Sequence, residues 1–166
     1  MKTIASVITA VAILAGGTSR VIAQGHAHVI QTPAETQWGP APPMLPTGAQ
    51  IAVLSGDPTK AVPYAVRLKF PANYAIPAHS HPTDENVVVT SGAITFGMGN
   101  KLNKSAPGNK ALGVGGYALM PANMNHFAYT TAETTIVLYG QGPVEFKYVN
   151  PADDPRNAAS QKTATK

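Results

Sequence analysis

From Tyr64 to Phe70 the apolar residues Tyr64, Val66, Leu68 and Phe70 alternate with Ala65, Arg67 and Lys69. A two-residue period of this kind marks a strand with one buried face. Similar short runs predict strands at 50–54, 62–70, 77–82, 86–90, 93–98, 117–120, 126–130, 134–140 and 144–149. Turn formers such as Pro71-Ala72-Asn73, Ser91-Gly92 and Gly140-Gln141-Gly142-Pro143 separate them. Short strands at such close spacing predict an all-β sandwich or barrel. Parity assigns Tyr64, Val66, Leu68, Phe70, Val87, Val89, Ile94, Phe96 and Met98 to its inner face. The stretch Gly99–Gly116, carrying Lys101, Lys104 and Lys110, reads as a loop. There is no internal repeat.

The amino end has a different pattern. Lys2 precedes the apolar run Ile4–Gly17, and Val21-Ile22-Ala23 places small or apolar residues before a cleavage point, so residues 1–23 read as a secretory signal peptide. That run is shorter than the roughly 20 residues needed to cross a bilayer. The expected location is therefore outside the cytoplasm, periplasmic or extracellular. Residues 24–48, rich in Pro and Gly around Trp38, read as an extended arm pinned by the indole, followed by a domain at 49–150 and a flexible tail at 151–166.

Composition narrows the chemistry. The 166 residues suit one small domain, and 44% hydrophobic with 12% charged residues excludes a highly charged disordered chain. Fifteen Gly and fifteen Pro fit short strands and tight turns. With no cysteine, disulfides, thiolate metal sites and cysteine nucleophiles are excluded. The formal charge of +4 falls to +2 once Lys2 and Arg20 are removed with the leader. The remaining basic residues are scattered and not interleaved with aromatics, so no nucleic-acid partner is expected.

Candidate chemistry lies in the histidines. His79-Ser80-His81 places two imidazoles on one face of a strand, and Glu85 keeps the same parity four residues on. His126 opens a later strand. Three imidazoles and a carboxylate around one ion suit Fe, Mn, Ni, Zn or Cu(II) better than Ca or Mg. No second carboxylate or lysine is well placed beside them, so any chemistry rests on the metal, with the Tyr64 hydroxyl as a candidate helper. A second pair, His26-Ala27-His28, stands beside the predicted cleavage point and offers either a Cu(II)-chelating amino end or a flexible polar end without a role.

The spacing around these residues resembles the two motifs of the cupin superfamily. Asn73, five residues, His79-Ser80-His81, three residues, Glu85, six residues and Gly92 reproduce the first, with Asn73 where the family has Gly. Gly115, five residues, Pro121-Ala122-Asn123, two residues and His126 reproduce the second, with Asn123 in place of Gly and Thr130 in place of Asn. Asn is the residue that best tolerates the left-handed turn a Gly would make. The resemblance covers about residues 50–150. It implies a small RmlC-like double-stranded β-helix, the cupin jelly-roll barrel, with His79, His81, Glu85 and His126 as ligands of one divalent transition metal inside it.

Two functional readings follow. One is a metal-dependent enzyme of dioxygenase, isomerase or lyase type acting on a small organic molecule. The other is a module that holds a small molecule or metal without turnover. An exported protein that acquires its metal outside the cell favours zinc or copper under the Irving–Williams order, although the resemblance alone suggests iron or manganese for an oxygenase. It also implies a possible homodimer. The arm and the 99–116 loop are the candidates to cover the barrel mouth.

Overall fold

A computed structural model describes residues 28–157. The predicted signal peptide and His26 lie outside the described residues, as does the chain after Asn157. Eleven strands form: β1 (Gly39–Pro40), β2 (Gln50–Gly56), β3 (Pro63–Phe70), β4 (Ala75–Ser80), β5 (Glu85–Ser91), β6 (Ile94–Met98), β7 (Lys110–Leu112), β8 (Tyr117–Met120), β9 (His126–Thr130), β10 (Thr134–Gln141) and β11 (Lys147–Tyr148). They pair antiparallel in two sheets, ordered β1-β2-β3-β10-β5-β8 and β11-β4-β9-β6-β7. From β3 on, the chain crosses between the sheets at every step except β6 to β7, and the two sheets close face to face into the expected double-stranded β-helix. Among the described residues no helix is long and apolar enough to cross a membrane.

The predicted alternation is realised on β3, where Tyr64, Val66, Leu68 and Phe70 are buried and the residues between them are not. These side chains meet Val87 and Val89 of β5, Ile136 and Leu138 of β10, and Ile94 and Phe96 from the opposite sheet in one continuous core. Met98 departs from the expectation. It is the last residue of β6 and is 50% exposed. The strand expected at 144–149 shortens to β11, and the sequence reading had no counterpart for β1 or β7.

Both substituted motif positions behave as glycine would. Asn73 and Asn123 have φ of 60° and 61°, the left-handed conformation that Asn adopts more readily than other side chains. Thr130 is buried, donates its hydroxyl to Pro71 O at 2.8 Å and accepts from Tyr74 N at 3.2 Å, tying β9 to the turn that precedes β4.

The connecting segments divide the work differently from expectation. Within the 99–116 segment, Asn109 approaches Gly97 and Phe127, Tyr129 donates to Lys104 O, β7 edges the second sheet with Leu112 against the core, and Gly115 and Gly116 bond the backbone of Val89. The segment contributes nothing to the lining of the two cavities described below. The arm does. Lys69 Nζ lies 4.6 Å from the Trp38 ring centroid, pinning the arm outside β3, and Leu45 then turns inward and is buried in the core. Tyr148 donates to Met44 O at 2.7 Å, and Tyr74 donates to Pro46 O, so both neighbours of Leu45 are held. The first residues after β11 are also held, with Arg156 donating to Phe146 O at 3.0 Å and pairing with Asp154.

Candidate metal centre

The three histidines are placed by β4 and β9 of one sheet. His79 and His126 are direct cross-strand partners, and His81 lies just beyond the end of β4. Glu85 reaches them from elsewhere. The chain turns through Pro82-Thr83-Asp84 and crosses to the other sheet, where Glu85 opens β5. Glu85 keeps the parity of the histidines along the chain, but a corner between sheets, not a shared strand face, brings the carboxylate in.

Every imidazole is oriented by a backbone carbonyl. The Nδ1 atoms of His79, His81 and His126 lie 2.7, 2.8 and 3.0 Å from the carbonyl oxygens of Pro77, Glu145 and Met124. A carbonyl only accepts, so each ring carries its proton on Nδ1 and turns the Nε2 lone pair the other way. One nitrogen from each of the three rings falls within 4.8 Å of the others, an arrangement able to hold a metal ion. The Nε2 atoms of His81 and His126 are buried with no hydrogen-bond partner. Carboxylate oxygens of Glu85 lie 3.5 Å from His81 Nε2 and 3.8 Å from His126 Nε2.

The electrostatics suit a cation. Burial holds all three imidazoles below the usual histidine range, and repulsion from the other two rings adds to this at His79. The Glu85 carboxyl is pushed up to about 7 by burial, with the nearby His126 opposing the shift. Neutral imidazoles with free lone pairs offer a divalent metal donors that carry no competing proton, whereas the raised Glu85 carboxyl must give up its proton before it can bind as carboxylate. The donor set of nitrogen and oxygen without sulfur is the one a divalent transition metal accepts.

The surroundings are apolar. Phe146 stacks on His79 with centroids 4.5 Å apart and meets His81 edge-on at 4.5 Å. A cavity of about 20 Å³ touches His79, Glu85 and His126 and is otherwise walled by core side chains including Leu45, Leu68 and Phe146. This is room for about one water molecule. Sequence reasoning missed Phe146 and Leu45, which carry no motif. Tyr64, named as a candidate helper, stands in register with Gly140 of β10, which is in turn opposite Glu85 of β5. A Cβ on Gly140 would lie 2.8 Å from Asp84 O and 3.5 Å from the Tyr64 hydroxyl, so glycine there leaves space for the ring to pass toward the carboxylate.

Solved structures share this architecture at low identity. A proposed acetylacetone dioxygenase from Methylibium petroleiphilum is 20% identical over 78% of this chain and 85% of its own, with a TM-score of 0.58. An RmlC-like cupin from Shewanella frigidimarina is 13% identical over 69% of this chain and 90% of its own, at 0.52. The DMSP lyase DddQ from Ruegeria pomeroyi is 21% identical over 66% of this chain and 57% of its own, at 0.50. No curated protein sequence matches. The model of the ChrR cupin-like domain matches residues 26–145, taking in most of the arm as well as the barrel. Two antiparallel sheets closed around the three histidines, with a family match across well over half of its length, establish that this chain belongs to the ChrR cupin-like family.

Proposed function

We propose that the chain is an exported, metal-dependent enzyme acting on a small organic molecule, with His79, His81, Glu85 and His126 as the metal ligands. The observation that carries this reading is the pair of buried, partnerless Nε2 atoms on His81 and His126. Leaving a buried acceptor unmet costs about 1–3 kcal/mol each, and one cation satisfies them together with the Glu85 carboxylate.

A bound divalent metal supplies Lewis-acid polarisation or an oxygen-binding position, the resources of dioxygenase, isomerase or lyase chemistry. The chain's own part is to prepare and protect that position. Carbonyl bonds to Nδ1 fix the tautomers, a supporting interaction that raises ligand basicity. Phe146 and Leu45 exclude bulk water, and Glu85 is the one carboxylate able to hold or give up a proton at the centre. Dioxygenase and lyase are both named among proteins of this architecture, which supports the breadth of the reaction class without choosing within it. For metal acquired outside the cell, zinc or copper is the expected occupant.

The test is elemental analysis of protein recovered from the exported fraction, beside His79→Ala/His81→Ala, followed by oxygen uptake and a substrate panel with His126→Ala as control. One equivalent of zinc or copper that vanishes in the double variant, with turnover lost in His126→Ala, is the expected result. Iron or manganese in the natively loaded protein overturns the choice of metal, and a metal-free protein that cannot be loaded overturns the site. The small, closed chamber favours a second reading, a metal-holding module without turnover. Full metal occupancy with no reaction across the panel selects it.

A further inference from the structure

A second cavity, of about 80 Å³, lies beside the metal chamber, between the arm, β3 and the segment leading to β11. Leu45, Leu68, Leu138 and Phe146 line both spaces. The chamber itself has about 20 Å³, room for about one water molecule, so an organic molecule reaches the three histidines only when one of its walls moves. Leu68 and Leu138 belong to the paired strands β3 and β10. Leu45 is fixed by the tyrosine bonds to the carbonyls on either side of it.

Phe146 lies against the imidazoles themselves, flat on His79 and edge-on to His81, with ring centroids 4.5 Å away in each case. Its backbone is outside any strand but is held. Glu145 O accepts from His81 Nδ1 at 2.8 Å, and Phe146 O accepts from Arg156 at 3.0 Å. The part left to move is therefore the side chain, and the second cavity is open space beside it. A ring that turns into that cavity vacates its own volume over the histidines, room for a body of about six non-hydrogen atoms.

Charge narrows what enters that room. A divalent ion with three neutral imidazoles and the Glu85 carboxylate carries one net positive charge in apolar surroundings. Apart from His79, Glu85 and His126, no charged side chain among the described residues lines either cavity. A ligand with a single negative charge balances the excess. An uncharged ligand leaves it unbalanced, and a second negative charge on the ligand is buried without a partner.

We propose that Phe146 is the gate of the metal centre and that the substrate it admits is a compact monoanion. The ring swings into the outer cavity, and the ligand's carboxylate or enolate head takes its place over His79 and His81 while the apolar body packs on Leu45, Leu68 and Leu138. The proposal rests on the enzyme reading above.

The test uses the full chain, zinc-loaded and zinc-free, with butyrate, its uncharged isostere butyramide and the dianion succinate. Calorimetric titration gives the affinities, and nuclear Overhauser contacts locate the Phe146 ring. Expected is binding of butyrate to the zinc-loaded chain alone, with butyramide and succinate at least about tenfold weaker. In the butyrate complex the ring protons approach Ile51 and leave His79. Ile51 lines only the outer cavity, so Ile51→Trp fills that space, keeps one equivalent of zinc and binds butyrate about tenfold more weakly, and adding Phe146→Ala, which leaves no ring to move, cancels the loss. Ring contacts to His79 that persist in the complex, butyramide or succinate binding as tight as butyrate, or butyrate affinity unchanged in Ile51→Trp each overturns the proposal. If Ile51→Trp does not fold, the ring contacts in the wild-type complex decide alone. One equivalent of zinc with no butyrate binding removes the gate and the substrate class while the metal centre stands. A chain that takes up no zinc removes the metal centre, and the proposal with it.

Discussion

Metal uptake by the metal-free protein is expected to release a proton in one pH range and almost none in another. The buried Glu85 carboxyl is held up at about 7, while burial keeps the three imidazoles neutral. At pH 6 a group with that value is about nine-tenths protonated, and at pH 8 about one-tenth, so zinc binding displaces about 0.9 proton at the lower pH and about 0.1 at the higher. Apparent affinity therefore rises roughly tenfold from pH 6 to pH 8 on this account alone. Three exposed histidines of ordinary pKa would instead release more than about two protons at pH 6. Calorimetric titration of zinc in buffers of different ionisation enthalpy counts the protons directly, and Glu85→Gln is expected to abolish the release. Two or more protons at pH 6, or a release that Glu85→Gln leaves intact, would refute the assigned protonation states and with them the preorganised, neutral imidazole set.

The same carboxyl governs stability without metal. Its folded pKa lies above its ordinary value of 4.5, so the stability tied to its proton is fully present below about 4.5 and lost as pH rises through about 7. Glu85→Gln is expected to leave the metal-free protein nearly unchanged at pH 5 and to stabilise it by on the order of 1–3 kcal/mol at pH 8, measured by urea unfolding. The histidines titrate alike in both proteins and cancel, so equal effects at the two pH values would count against the shift. At the two motif turns, Asn73→Ala and Asn123→Ala should each cost about 1 kcal/mol or more, and the glycine variants far less, because only the alanines meet the left-handed backbone with an unsupported Cβ. Equal losses for alanine and glycine would place the role of Asn in its side chain. Thr130→Val should cost about 1–3 kcal/mol by leaving Pro71 O and Tyr74 N without their buried partner, and thermal or chemical unfolding within error of wild type would contradict that.

What was readable in the chain follows from how local each determinant is. The β3 alternation and the histidine spacing act over a few residues, and both reappear in the structure. The Asn73 and Asn123 turns were legible for the same reason, since each rests on the φ preference of one residue. Glu85 shows where local reasoning stops. Its parity with the histidines carries no information about the site, because the corner at residues 82–84 changes sheets and periodicity along one strand says nothing about its partner sheet. Met98 departs from the pattern at a strand end, where alternation along the chain does not by itself secure burial. Leu45 and Phe146 left no trace, since each comes from irregular backbone whose burial depends on contacts distant in sequence, such as Tyr148 to Met44 and Arg156 to Phe146.

Those two unheralded residues give the site its particular character. The three imidazoles and the carboxylate at its centre leave the reaction open by themselves. Over them lie an aromatic ring, flat on one histidine and edge-on to another, and an arm residue that enters the barrel between two tyrosine-held carbonyls. Both belong to segments whose conformation is decided by a few hydrogen bonds outside the sheets. Such segments open at lower free energy than sheet strands. His79, Glu85 and His126 thus lie on paired strands, while the groups that cover them come from segments held by a few hydrogen bonds between residues far apart in the chain.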